Sequence, residues 1–267
     1  MRHLRSFVGS ITVLVAICGV AAVQTSCTSS ADLANDLGDI SSAYLVLDLT
    51  SGSRKTANTV DDLATNPAYR DQQMVFRRVI QGTSQSWMGV FEVTQGQWSR
   101  LAAGATPWTL IPAAQVGSAA IATGLPAFNL SYVDITTALS TWNASRSLHL
   151  VVPTDSQWNA AAGTGTYSWG NTSDRASVET QAAVFETQDG TIGPRAVGDR
   201  AANGLGFYDL SGNVWEWTAP GLVIRGGSWH DPLAAAALTN RVGIADGNID
   251  SLTAHALIGV RLAVELP

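Results

Sequence analysis

The chain has 267 residues, enough for one large domain or two small ones with an ample core. Charged residues make up only 13%, well below the usual share of about a quarter, so solubility rests on Ser, Thr, Asn, Gln and Gly, as is common in exported proteins. The formal net charge of -6, with no Lys/Arg stripe, argues against a nucleic-acid partner.

Residues 1–26 read as an export signal. Arg2 and Arg5 form a positive start, Phe7 to Val23 an apolar run, and Ala21, Ala22 and Ser26 the small residues that cleavage needs. A bilayer anchor is the rival reading, because the run is near the lower length limit for a span. Secretion, or a cell-surface or periplasmic location, is the expectation that follows. Cys27 stands where a lipidated first residue would, although Gln24 occupies a place where that motif wants an aliphatic side chain. With the signal cleaved, lipid on Cys27 is the one route to membrane attachment. Only Cys27 and Cys18 exist, and Cys18 lies in the signal, so the mature chain holds at most one thiol and no internal disulfide.

Residues 27–43, small and polar through Asp39, read as a flexible linker. Tyr44 to Leu49 and Met74 to Ile80 read as strands, the second ending at Gly82. A single domain is expected over 44–267, with a strand-rich lead-in to about residue 80. Three helix starts share one device, a hydroxyl followed three residues on by a side-chain acceptor: Thr94 with Gln97, Ser131 with Asp134, and Thr154 with Gln157. After the second, Ile135, Ala138, Leu139 and Trp142 fall on one helical face. Beyond Gly163 the pattern reads as loops and short strands. All nine Trp lie between Trp87 and Trp229, which places the aromatic core there.

Six strings in order carry a resemblance. They are Glu92-Val93-Thr94 with Trp98, Pro153-Thr154-Asp155-Ser156-Gln157-Trp158 running on to Ala161, Trp169-Gly170-Asn171, Gly212-Asn213-Val214-Trp215-Glu216-Trp217, and Arg225-Gly226-Gly227-Ser228-Trp229, with Gly259-Val260-Arg261-Leu262 near the end. Together they resemble the formylglycine-generating enzyme, or sulfatase-modifying factor, family. The resemblance implies an α+β, C-type-lectin-like fold with two or three helices, short strands and long irregular loops. Trp215, Trp217 and Trp229 are then core anchors, and Gly226 and Gly227 places of tight backbone approach.

The resemblance also implies metal chemistry. One calcium site would use the carbonyls of Gly212 and Val214 and the carboxylate of Glu216, and a weaker one Val184, Asp189 and Thr191. Pairing with an arginine is the alternative role for Glu216. The family's oxidase chemistry needs two cysteines that bind copper, and their places fall on Asp231 and Ala236, so no copper is expected. His230, Asp231 and His255 are candidates for a replacement iron or zinc site, against the commoner reading of an exposed loop. The stretch from His230 to Ile258, with His230, Asp231, Asn240, Asp246 and Asn248, is the candidate ligand face, for a protein or glycan partner of a non-catalytic binding or scaffold protein. A metal-dependent oxidoreductase is the alternative.

Overall fold

A computed structural model describes residues 41–265 except 118–120, 189, 191, 221, 245, 246 and 248. The export signal and most of the linker lie outside the described residues, as do the site candidates Asp189, Thr191, Asp246 and Asn248. Among the described residues no helix is long and apolar enough to cross a membrane.

The larger sheet has six strands: β1 (Tyr44–Asp48), β2 (Arg54–Ala57), β3 (Gln73–Gln81), β4 (Ser84–Gly89), β5 (His149–Val151) and β10 (Ala263–Glu265). Their order is β2-β1-β3-β4-β10-β5, and every pairing is antiparallel. The lead-in therefore shares its sheet with the last strand of the chain. Successive side chains on a strand face opposite ways, and here both faces are covered. Leu45 opposes Phe76 and Leu47 opposes Met74 on the side of the main core, whereas Val46 opposes Val75 on the other. This two-sided burial explains why Tyr44 to Leu49 is a nearly unbroken apolar run rather than an alternating one.

Each of the three expected helix starts closes a full capping box. Thr94 begins α1 (Gln95–Leu101), Ser131 begins α3 (Tyr132–Asn143) and Thr154 begins α4 (Asp155–Ala162). Two short helices were not expected: α2 (Ala113–Val116), and α5 (Arg175–Gln181), which is capped by Asp174 in the stretch read as loop. Asp174 accepts from Ser177, but only Val178 of α5 is buried, so the helix has no apolar stripe for a pattern to reveal.

A second sheet runs β8-β7-β6-β9, from β6 (Trp215–Thr218), β7 (Val223–Arg225), β8 (Val242–Gly243) and β9 (Ile258–Gly259), with β6 and β9 parallel. Trp215, Trp217 and Ile224 share the main core with α1, α3 and one face of the larger sheet. On the opposite face, α4 sets Trp158 and Ala161 against Val79 and Met88. Eight of the nine Trp are buried, Trp169 being the partly exposed one. The aromatic strings act as the core anchors that long loops need.

Candidate functional site

The motif strings converge on a buried polar network. Glu216 and Arg261 are both fully buried, and Arg261 Nη2 donates to Glu216 Oε1 at 2.6 Å while its Nε reaches both oxygens at 3.2 and 3.0 Å. Trp158 completes the carboxylate's partners by donating its indole N–H to Oε2 at 2.7 Å. The remaining guanidinium hydrogens go to the carbonyls of Gly89, Val90 and Tyr208. Arg261 thus ties β4, the loop before β6, and β6 itself to the C-terminal strand.

Asn213 is the second hub. At φ 61° it turns its side chain to donate to Glu92 Oε2 at 2.6 Å and to accept the Arg195 N–H at 2.9 Å, while its carbonyl accepts from Trp229. Glu92 Oε1 takes the Val214 N–H at 3.0 Å. Arg225 sits over the Trp158 ring and donates to Asp155, to Asn159 and to the Leu238 carbonyl. Arg241 is a further partner of Asp155. Gly227, at φ 78°, leaves a Cβ position only 3.0 Å from the Ala236 nitrogen, so the loop after β7 packs there at backbone contact.

Three carboxyls, Glu92, Asp209 and Glu216, face one buried guanidinium. Burial pushes Asp209 up to about 6, against the opposing pull of the Gly198 N–H and Arg261. Burial also raises Glu92 well above the carboxylate range, helped by the charges of Asp209 and Glu216. A carboxyl with a raised folded pKa binds its proton more tightly folded than unfolded. Its stabilisation is therefore complete at low pH and is lost as pH rises through the folded value. From Asp209 the expected result is a fall in stability between about pH 4 and about pH 6, continued at higher pH by Glu92. Asp209→Asn should flatten the acid part of that curve in urea unfolding at graded pH. An unchanged slope would show that Asp209 titrates as it does unfolded.

The calcium donors fare unevenly. Both oxygens of Glu216 are engaged by Arg261 and Trp158, and the adjacent guanidinium repels a cation, so this carboxylate does not fit calcium. The arginine alternative describes Glu216 in this structure. That leaves the set only the backbone carbonyls of Gly212 and Val214. At the weaker set, the Val184 carbonyl already accepts the Thr187 N–H and hydroxyl. Among the described residues no group of three or more His, Cys, Asp or Glu side chains is placed to hold a metal ion.

The two positions where the resemblance puts cysteines have other roles. Asp231 accepts from the Trp215 indole at 2.8 Å and from the Ser228 hydroxyl. Ala236 is fully buried in a small cluster with Val178, Ala182 and Val184.

Beside Asp231 opens a cavity of about 600 Å³ whose lining includes Phe185, Gln188, Ile192, Trp229, His230 and His255. Phe185 is 62% exposed and Ile192 54%, so its wall presents apolar surface to solvent. His230 stands edge-on to both Trp229 and Phe185. His255 Nδ1 accepts the Leu257 N–H. The expected ligand face is therefore divided. His230 and His255 reach the cavity, but Asp231 turns inward, and Asn240 donates to the Ala235 carbonyl in its own turn. Phe185, Gln188 and Ile192 carry no motif, and their approach to His255 depends on the tertiary fold alone.

Residues 76–266, more than half of the chain, match the model of the sulfatase-modifying factor enzyme 1-like domain. The chain belongs to that family. Similar curated proteins include the formylglycine-generating enzyme of Mycobacterium tuberculosis, 33% identical over 105 residues, covering 36% of this chain and 33% of that protein. Another is the inactive C-alpha-formylglycine-generating enzyme 2 of Mus musculus, 32% identical over 141 residues, covering 45% and 44% respectively. The chain thus spans less than half the length of these relatives, and the family includes proteins described as inactive.

Similar solved structures include Treponema denticola variable protein 1 (TM-score 0.57, 16% identity, 73% of this chain and 96% of that one). PvdO from Pseudomonas aeruginosa is a second (TM-score 0.56, 18% identity, 84% and 92%). At these identities the likeness is one of fold. It bears out the α+β, C-type-lectin-like architecture of the sulfatase-modifying factor domain.

Proposed function

We propose that this protein is an exported, non-catalytic binding protein of the sulfatase-modifying factor family. The observation that carries the reading is the fate of the two cysteine positions. Asp231 is a hydrogen-bond acceptor for Trp215 and Ser228, and Ala236 is an enclosed methyl group, so neither offers the soft sulfur that copper(I) chemistry requires. What persists beside them is a cavity of a size suited to a small ligand, walled largely by apolar side chains. A framework tied by buried Arg, Glu and Trp groups allows such a surface to vary without loss of fold. The signal-like residues 1–26 support export, and a protein or glycan partner remains compatible with the exposed Phe185 and Ile192.

Metal content and oxygen uptake of the purified protein test the reading. Substoichiometric copper and iron are expected, with no oxygen uptake above buffer when a cysteine-containing peptide is supplied. One equivalent of either metal together with cysteine-dependent uptake would instead establish the oxidoreductase alternative.

A further inference from the structure

Residues 195–201 form a strap of irregular backbone against the buried network. Apart from the buried Val197 side chain, its grip is polar. The Arg195 N–H reaches Asn213 Oδ1 at 2.9 Å, and the guanidinium groups of Arg195 and Arg200 both donate to the Thr187 carbonyl, at 2.8 and 3.2 Å. Val197 donates its N–H to the Gly124 carbonyl, and its own carbonyl accepts from Arg70 Nε at 3.1 Å. Gly198, at φ 75°, donates its N–H to Asp209 Oδ2 at 2.7 Å, and a Cβ there would lie 2.8 Å from both Arg70 Nη2 and the Phe91 ring. The middle of the strap therefore closes directly on Asp209, a residue only 4% exposed.

The charges around Asp209 do not balance. Arg70, from the turn Pro67–Arg70, and Arg261 stand against Glu92, Glu216 and Asp209 itself. The strap adds Asp199, a partly exposed carboxylate paired with Arg195 and Arg200. Tyr208 is the remaining titratable neighbour, with Tyr44 acting on it in turn. Arg261 spends all five of its N–H groups on Glu216 and the carbonyls of Gly89, Val90 and Tyr208. Arg70 gives its hydrogen bonds to the carbonyls of Leu63, Asn66 and Val197. Neither guanidinium donates to Asp209. An ionised Asp209 would thus have the Gly198 N–H as its hydrogen-bond partner, in the field of two further buried carboxyls, whereas the neutral acid escapes most of that cost.

We propose that Asp209 is a pH-operated latch on the 195–201 strap: the protonated carboxyl holds the strap closed, and the ionised one loosens it. Closed, burial keeps the proton on Asp209 up to about 6; with the strap lifted, water reaches the carboxyl and the proton leaves near the ordinary value of 3.8. Closure therefore takes up a proton, is complete in acid, and weakens as pH rises through the closed-state value. Arg195 and Arg200 both hold Thr187, the last residue of the short turn Phe185–Thr187. A loosened strap thus also frees the segment that carries Phe185 into the cavity wall. The latch belongs to the fold and does not depend on what the cavity binds.

Amide hydrogen exchange of the full-length protein at about pH 5 and about pH 7.5, corrected for the intrinsic pH dependence of exchange, reads the latch. The amides of Val197, Gly198 and Ala201 should exchange faster than those of β3 and β4 and without acceleration by low urea, the mark of a local opening. Their protection should fall by about tenfold between the two pH values. Asp209→Asn is permanently neutral and suits the left-handed backbone at this position, φ 60°, so it should keep the strap closed at both. Strap protection that ignores pH in the parent protein overturns the latch. So does strap exchange that occurs only together with β3 and β4, as global unfolding, or a pH response that survives in Asp209→Asn. Should that variant not fold, the parent's pH response and urea independence decide.

Discussion

Arg261→Met destabilises the protein by about 3–5 kcal/mol, because it strands Glu216 as an uncompensated charge with no access to water. The same change frees the carbonyls of Gly89, Val90 and Tyr208, so the loss spreads across the contacts that hold the C-terminal strand in the larger sheet. Glu216→Gln should cost less, since an amide still accepts from Trp158 and leaves the guanidinium its three carbonyls. The double variant, with neither charge, should recover part of the loss. Urea unfolding of the four proteins gives the coupling energy directly. An Arg261→Met protein within about 1 kcal/mol of wild type would mean that water enters the site and hydrates Glu216.

Gly212→Ala should be nearly as damaging. Gly212 sits at φ 102°, and a Cβ there would lie 2.2 Å from the Ala183 carbonyl oxygen and 3.0 Å from a Val184 methyl. The strained backbone and the forced separation together cost about 2–4 kcal/mol. The contact joins the Gly212–Glu216 string to the segment leading to Phe185 and Gln188, so an effect on the cavity should accompany the loss of stability. Thermal unfolding measures the loss of stability, and amide hydrogen exchange over residues 183–188 the effect on the cavity. A variant with unchanged Tm would show that the 183–184 segment moves aside freely and does not hold the cavity wall in place.

The parts legible in the sequence are those whose chemistry is local. Thr94, Ser131 and Thr154 each find their partner three residues away, so the spacing that suggests a cap also forms it. The face of Ile135, Ala138, Leu139 and Trp142 is likewise a property of one helical turn after another, and all four are buried. Glu216 shows the opposite case. A carboxylate on an irregular loop suits calcium or a guanidinium equally, and the choice fell to Arg261, 45 residues on in the chain, and Trp158, 58 residues before. By its sequence Asp231 is a loop carboxylate on a ligand face, yet Trp215 draws it inward.

The sequence by itself determined the family, the lectin-like class, the main helix starts and the want of a cysteine pair, because each depends on residue identity or on spacing within a few positions. Only the tertiary structure decided what the motif residues do. Glu92, Asn213, Glu216, Arg225 and Arg261 are spread over 170 residues of chain and meet in one buried network, where each polar group must find a partner from another segment. The cavity arose in the same way, from segments around 114, 188, 230 and 255 that share no pattern.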